Sequence, residues 1–304
     1  MKASRFKYKL IKSQIRIKGK TFITNNEIFF GELSIFTLII NSYQNHMLII
    51  LSPAKTMDMT RNNTGLPLTR PKFEKDAGYL AKIMQKYSVE ELGKLLKISK
   101  PLAEENYKRY QQFDRIENPG CQALLAYNGS VFKEIRVSTF TEQDFEYAQS
   151  HLRIISTLYG LIRPLDTIKA YRLAYLPGLQ DMKEKNLYEY WRLKLTVPLI
   201  EDIRKAGGIL INLASLDVLG ALNMEKIDQE VEIITPEFQE YRNGKYETIR
   251  TYAKQARGAM TRYILLNRIK SPEKMKEFEW EGFRFNETIS DTGKYIFSRK
   301  NKRD

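Results

Sequence analysis

Arg163 and Asp166 stand three residues apart within residues 152–172, LRIISTLYGLIRPLDTIKAYR, with Lys169, Tyr171 and Arg172 close behind. An arginine and a carboxylate at that spacing can do one of two things. They pair with each other for stability, or they converge on an anion while Asp166 or Tyr171 moves a proton. The residue types alone leave both open. The elements that must position them are clearer. Leu152–Ser156 is an aliphatic run long enough for a buried strand and too short for a stable helix. Gly160 breaks the pattern, and Pro164 turns Arg163 away from helical angles. A strand that ends in a Gly/Pro loop with convergent charge is a common way to build a binding edge.

A second candidate is Lys55, which follows the aliphatic run Met47–Leu51 in MLIILSPAKTMD. Ser52-x-x-Lys55 has the spacing of an acyl-transfer nucleophile. Neither Ser-Asp-Asn nor Lys-Thr-Gly follows downstream, so Lys55 reads instead as an anion ligand or a salt-bridge partner. A third candidate lies in Leu92–Asn106. Ser88-Val89-Glu90-Glu91 is a capping box that starts a helix at Val89. The stretch after it is similar to a helix-hairpin-helix, in which backbone amides meet a DNA phosphate. Leu95, Ile98, Leu102 and Ala103 fall at the expected spacing, with Lys97 and Ser99 in place of two glycines. Ser99 is positioned to cap the second helix, and Lys94, Lys97, Lys100, Lys108 and Arg109 crowd the region. A plain pair of helices with a solvated basic face fits the same residues.

Composition narrows the classes. The 304 residues are 42% hydrophobic and 28% charged, which is globular rather than fibrous or disordered. A net charge of +14 points to an acidic partner such as nucleic acid, or to a merely basic surface. Cys121 is the only cysteine, so no internal disulfide can form and a reducing cytoplasm is the natural setting. Two histidines and one cysteine cannot assemble a structural zinc site, and no Glu-x-x-His pair suggests a carboxylate–iron centre. Neither a metal nor a cofactor is expected. Residues 1–46 carry eight Lys/Arg and two acids, a balance of +6 that leaves +8 for residues 47–304. Their apolar run, Ile35–Ile40, is far too short to span a bilayer, and no cleavage site follows it. The expectation is an upstream extension outside the fold, with the natural chain opening at Met47.

Strand and helix patterns interleave along the remainder without a repeat or low-complexity linker. Phe73–Tyr87, Asn186–Lys205 (with Pro198 inside) and Ala253–Lys270 read as helices, the last bearing Lys254, Arg257, Arg262 and Arg268. Ile209–Ala214 is the clearest buried strand. Val231–Gln239 and Lys245–Tyr252 flank Asn243-Gly244 as a β-hairpin, and Gly282–Ser298 reads as a second. The predicted fold class is α+β: one domain, residues 47–304, with a mixed β-sheet surrounded by helices and a helix-hairpin-helix-like element.

MLIILSPAKTMD, LRIISTLYGLIRPLD with YRL, NLYEYW, ILINLAS and YAKQARGAMTRYILLNR together resemble the YaaA family of bacterial peroxide-stress proteins. The resemblance covers residues 47–304, in the family's order, and leaves 1–46 uncovered. Leu216-Asp217 departs from it, standing where the family tends to place a polar acidic pair. The resemblance implies protection against hydrogen peroxide by lowering intracellular free iron, a positively charged cleft, a helix-hairpin-helix and double-stranded DNA binding. The hairpin falls on Leu92–Asn106. Motif position and charge, rather than the family, assign Lys55, Arg163, Lys169, Arg172, Lys254, Arg257 and Arg262 to the DNA-binding surface with Lys94, Lys97, Ser99 and Lys100. The competing reading is an enzyme on a small anionic substrate held by Lys55, Arg163 and Arg257, with Lys55, Asp166 or Tyr171 as catalytic candidates. No membrane association and no stable protein partner is implied. A clamp needs charges converging on a closed pocket, whereas a DNA site needs them strung along an open groove.

Overall fold

Met47–Leu51 forms strand β1, and all five of its side chains are buried. A continuous aliphatic run of this kind belongs to a strand covered on both faces. The computed structural model describes residues 46–61, 65–175 and 178–300, so the expected upstream extension, apart from His46, lies outside the described residues. The other strands are β2 (Cys121–Gln122), β3 (Leu152–Ser156), β4 (Gly160–Ile162), β5 (Thr167–Ile168), β6 (Ile209–Asn212), β7 (Glu232–Arg242), β8 (Lys245–Glu247), β9 (Arg284–Phe285) and β10 (Lys294–Lys300). The main sheet has the order β4-β3-β1-β6-β7-β10-β9, with β8 paired to the far end of β7. β3, β1, β6, β7 and β10 run parallel, while β4, β8 and β9 pair antiparallel. β2 and β5 form a separate antiparallel pair. The architecture is the expected α+β fold around a mixed sheet.

The helices that carry or frame the candidate residues are α1 (Glu74–Met84), α2 (Val89–Leu96), α3 (Lys100–Gln111), α4 (Ser130–Ile135), α5 (Glu142–His151), α6 (Leu187–Lys205), α7 (Met224–Glu230) and α8 (Arg250–Leu266). α5 and α6 both pack on β1. Each large aliphatic side chain buried there contributes about 1.5–3 kcal/mol. The β3–β4 turn depends on Gly160 at φ +66, where a Cβ would stand 2.7 Å from the Trp191 ring. Trp191 itself donates its indole N–H to the Thr157 carbonyl at 2.8 Å, which locks α6 to that turn.

Several boundaries differ from expectation. The strand expected over Lys245–Tyr252 stops at Glu247, and α8 starts at Arg250 and ends at Leu266, not Lys270. Tyr252 lies on the helix, and the Arg299 guanidinium sits over its ring at 4.2 Å. That tertiary contact overrides the strand preference of an aromatic residue. The hairpin expected over Gly282–Ser298 is reduced to a two-residue β9 against β10, closed where Asp291 Oδ1 accepts from the Gly293 and Lys294 amides.

Candidate functional site

The sheet order reverses at β1, with β3 on one side of it and β6 on the other. In parallel sheets, ligands favour the crevice outside the carboxyl ends of the strands at such a point. Three strands deliver a serine there: Ser52 after β1, Ser156 at the end of β3 and Ser215 after β6. Ser52 Oγ accepts from the Ser215 amide at 2.8 Å, and the two hydroxyls share a hydrogen bond at 2.9 Å. Ser52 therefore clasps two loops together, and it makes no hydrogen bond to Lys55 among the described residues. Lys55 is exposed.

At the end of β3 the Ser156 hydroxyl shares a hydrogen bond with Tyr171 (2.7 Å), and Tyr171 with Tyr127 (2.8 Å). Ser156 Oγ also accepts from the amides of Leu158 and Tyr159. Burial raises the pKa of both tyrosines. Tyr171, a catalytic candidate, is thus a protonated link in a buried hydroxyl chain. Beside the same loops, Asn128 Oδ1 and the Tyr175 hydroxyl are buried without a partner among the described residues. The Tyr175 ring stacks on Tyr188 at 4.6 Å, and Tyr188 donates to the carbonyl of Asp217, two residues past Ser215.

The predicted cations separate into groups. Arg163 donates to Asp166 through its backbone amide (2.8 Å) and its guanidinium (2.7 Å from Nη2), and Thr69 Oγ1 adds a third donor at 2.6 Å. Asp166 is 0% exposed, so its carboxylate is fully occupied. β4 runs antiparallel to β3 with Ile162 opposite Ile154, so the chain leaves β4 toward the amino edge of the parallel strands. Arg163 is thereby directed away from Lys55. Lys169 donates to the carbonyls of Phe113 and Arg115, just beyond the end of α3. Arg262 donates to the Ile135 and Arg136 carbonyls at the end of α4 and to Thr139 Oγ1. All three close helix or turn ends.

Other cations remain available. Arg172 Nη1 reaches the Lys55 carbonyl at 3.4 Å, and the Arg172 carbonyl accepts from Tyr110 of α3 at 2.8 Å. On α8, Lys254 is exposed and Arg257 is half-buried. Burial lowers the Arg257 pKa and Glu237 opposes it; the guanidinium makes no hydrogen bond among the described residues. Its neighbour Gly258 lets α8 cross α4 closely, since a Cβ there would stand 2.1 Å from the Val131 carbonyl.

The α2–α3 pair presents the remaining candidates. The capping box at Ser88 and Glu91 is present. α2 ends with Lys97 at φ 53, and the Ile98 amide returns to the Gly93 carbonyl at 3.1 Å. Lys97 holds the left-handed conformation that glycine usually supplies. Ser99 occupies the N-cap position of α3, yet its side chain makes no capping bond. The amides of Lys100 and Leu102, in the first turn, have no intrahelical acceptor. Lys94, Lys97 and Lys100 are exposed and form no ion pair among the described residues. The 12 residues of α3 span about 18 Å at 1.5 Å each and carry this turn toward Arg172 and Lys55.

Ser156, Ser215 and Tyr127 escaped sequence reasoning. The signal was a small polar residue closing each aliphatic run, in LIILS, RIIS and LINLAS. Among the described residues no group of three or more His, Cys, Asp or Glu is placed to hold a metal ion, and no helix is long and apolar enough to cross a membrane.

Comparison with known proteins adds a family to this geometry. The family model described as peroxide stress protein YaaA matches residues 47–289. A UPF0246 protein of Bacteroides thetaiotaomicron is 48% identical over 252 residues, covering 83% of this chain and 98% of the relative. A UPF0246 protein of Bacteroides fragilis is 49% identical over 253 residues, with the same coverage. A Clostridium botulinum relative is 40% identical over 257 residues, covering 84% of this chain and all of the relative.

Proposed function

The chain belongs to the peroxide stress protein YaaA family, and from that premise we propose that it acts in the stress response by binding the backbone of duplex DNA. The observation that supports this reading is the dispersal of its available cations. Lys94, Lys97 and Lys100 crowd one end of α3, whose 12 residues span about 18 Å, and Tyr110 near its other end donates to the carbonyl of Arg172, whose guanidinium reaches Lys55. Charges strung over that length match successive phosphates along a strand. They are far too spread for one small anion. Lys97, Lys100 and the open first-turn amides of α3 make the positioning contact, and Lys254 and Arg257 extend the basic surface. The proposal carries with it the cytoplasmic setting and the limit on intracellular free iron that the family resemblance implies.

A second reading, an enzyme on a small anionic substrate, draws on one observation, the unbonded and half-buried Arg257 guanidinium. Lys55 remains available to it, but Arg163 is held by Asp166. A salt titration of duplex affinity separates the two. Each neutralised phosphate adds about −0.9 to the slope of log affinity against log salt, so five contacts give a slope near −4.5. Affinity that ignores salt, or no duplex binding at low salt, favours the enzyme.

A further inference from the structure

A cavity of about 730 Å3 opens beside α4, the turn Val137–Thr139 and α5, and neither function above uses it. Its size lies within the roughly 300–1,000 Å3 of small-molecule sites. Phe132, Phe140 and Phe145 give it an aromatic wall, and Arg61, Lys133 and Arg136 give it cations. No carboxylate is among its described lining residues. Arg61 is paired with Asp58 at 2.8 Å, Arg136 stands a loose 3.7 Å from Glu134, and Lys133 forms no ion pair among the described residues.

Two further observations concern Arg136. It closes α4 at φ 53, a left-handed conformation that disfavours any side chain and normally belongs to glycine. Strained positions of this kind gather at functional sites. Beside it, Arg262 lies over the Phe140 ring at 5.9 Å and donates to Thr139 Oγ1 at 2.7 Å. Burial lowers the Arg262 pKa, the charge of Arg136 lowers it further, and only Asp144 opposes them. Two guanidiniums that repel each other beside an aromatic cavity are stabilised by an anion.

We propose that this cavity binds a nucleotide unit, with the base against Phe140 and the phosphate held by Lys133 and Arg136. A guanidinium fork matches phosphate oxygens in pairs. Stacking on an aromatic ring accepts any base. The unit has two sources, a free nucleoside monophosphate or an unpaired nucleotide in a bound nucleic acid. The second rests on the DNA reading above.

The test titrates the full chain calorimetrically with adenosine monophosphate, with adenosine, and with a duplex that carries one unpaired adenosine beside its fully paired counterpart. Arg136→Gly removes the cation and suits the backbone, so the melting temperature should hold or rise. Binding of the monophosphate or of the unpaired-base duplex should weaken about tenfold or more in that variant and in Lys133→Ala. Adenosine should bind the wild type about tenfold more weakly than its monophosphate. A response confined to the monophosphate identifies a free nucleotide, and one confined to the unpaired-base duplex identifies nucleic acid. A protein that binds the monophosphate through Arg136 yet ignores all DNA supports this inference while sinking the DNA reading. Wild-type and Arg136→Gly proteins that behave alike toward both the monophosphate and the unpaired-base duplex overturn it.

Discussion

Two short turns in this protein carry cations, and they use them in opposite ways. At Arg163–Asp166 the guanidinium, a backbone amide and the Thr69 hydroxyl saturate a carboxylate that is 0% exposed. At Lys97–Lys100 the lysines face solvent, the N-cap hydroxyl makes no capping bond and the first-turn amides of α3 are open. The first turn uses its charge to hold the chain. The second leaves its charge for something else. A basic residue in a loop is informative about function only once its counter-charge has been located.

The largest expected effect tests the first turn. Arg163→Ala leaves the Asp166 carboxylate buried without its main partner. Breaking a buried pair costs about 3–5 kcal/mol, and because Arg163 is 38% exposed the low end applies, about 3 kcal/mol. Urea unfolding should show that loss, while the salt slope of duplex binding stays as in wild type. Unchanged stability with lost DNA binding would reverse the assignment of the two turns.

The hairpin should show the mirror image. Lys97→Ala with Lys100→Ala removes two exposed cations and should flatten the salt slope by up to about 2 units, equally for unrelated duplexes. Stability should change by less than about 0.5 kcal/mol, as for surface positions generally. A double variant that binds with the wild-type slope would remove the hairpin from the interface.

The contrast also explains what the sequence could reveal. β1, β3 and β6 were legible because each is a continuous aliphatic run, and the starts of α2 and α6 because Ser88 and Asn186 cap them. The Arg163–Asp166 pair could not be resolved from its spacing, because Thr69, the partner that completes it, lies 97 residues from Asp166. Ser52 and Ser215 meet across 163 residues, so neither local pattern announces the other. Lys169 and Arg262 read as binding cations from charge alone, because the carbonyls they meet lie 54 and 127 residues away in the chain. Charge was legible; its counterpart was not.

A smaller effect comes from pH. His151, at the end of α5, packs against Tyr147 and His46. Its pKa is pushed down to about 4, first by burial and then by the charges of His46, Arg153 and Arg268, against a hydrogen bond with the Tyr147 carbonyl. The folded pKa lies below the unfolded value of 6.5. The unfolded chain therefore binds the extra proton between these values, and stability present above pH 6.5 is lost as pH falls toward 4. His46 is lowered in the same direction, also mainly by burial. The urea midpoint should fall over that window, and His151→Phe should flatten the fall. A midpoint that rises as pH drops from 7 to 5 would mean that these rings are charged when folded.

The smallest expected effect concerns the basic segment before β1. We expect a protein beginning at Met47 to melt within a few degrees of the full chain. β1 starts at Met47 and is the most deeply buried strand of the sheet, and the family match also begins there. The Bacteroides thetaiotaomicron relative is 98% covered by 252 aligned residues, which leaves it no counterpart to a 46-residue extension. The shortened protein does lose His46, whose ring stands 4.9 Å from that of His151. Calorimetry of the two lengths decides the matter, and loss of cooperative unfolding in the shorter one would place residues 1–46 inside the fold. The same pair measures charge: any salt-slope difference between them counts the phosphates that the eight Lys/Arg of the segment reach, separately from Lys97 and Lys100.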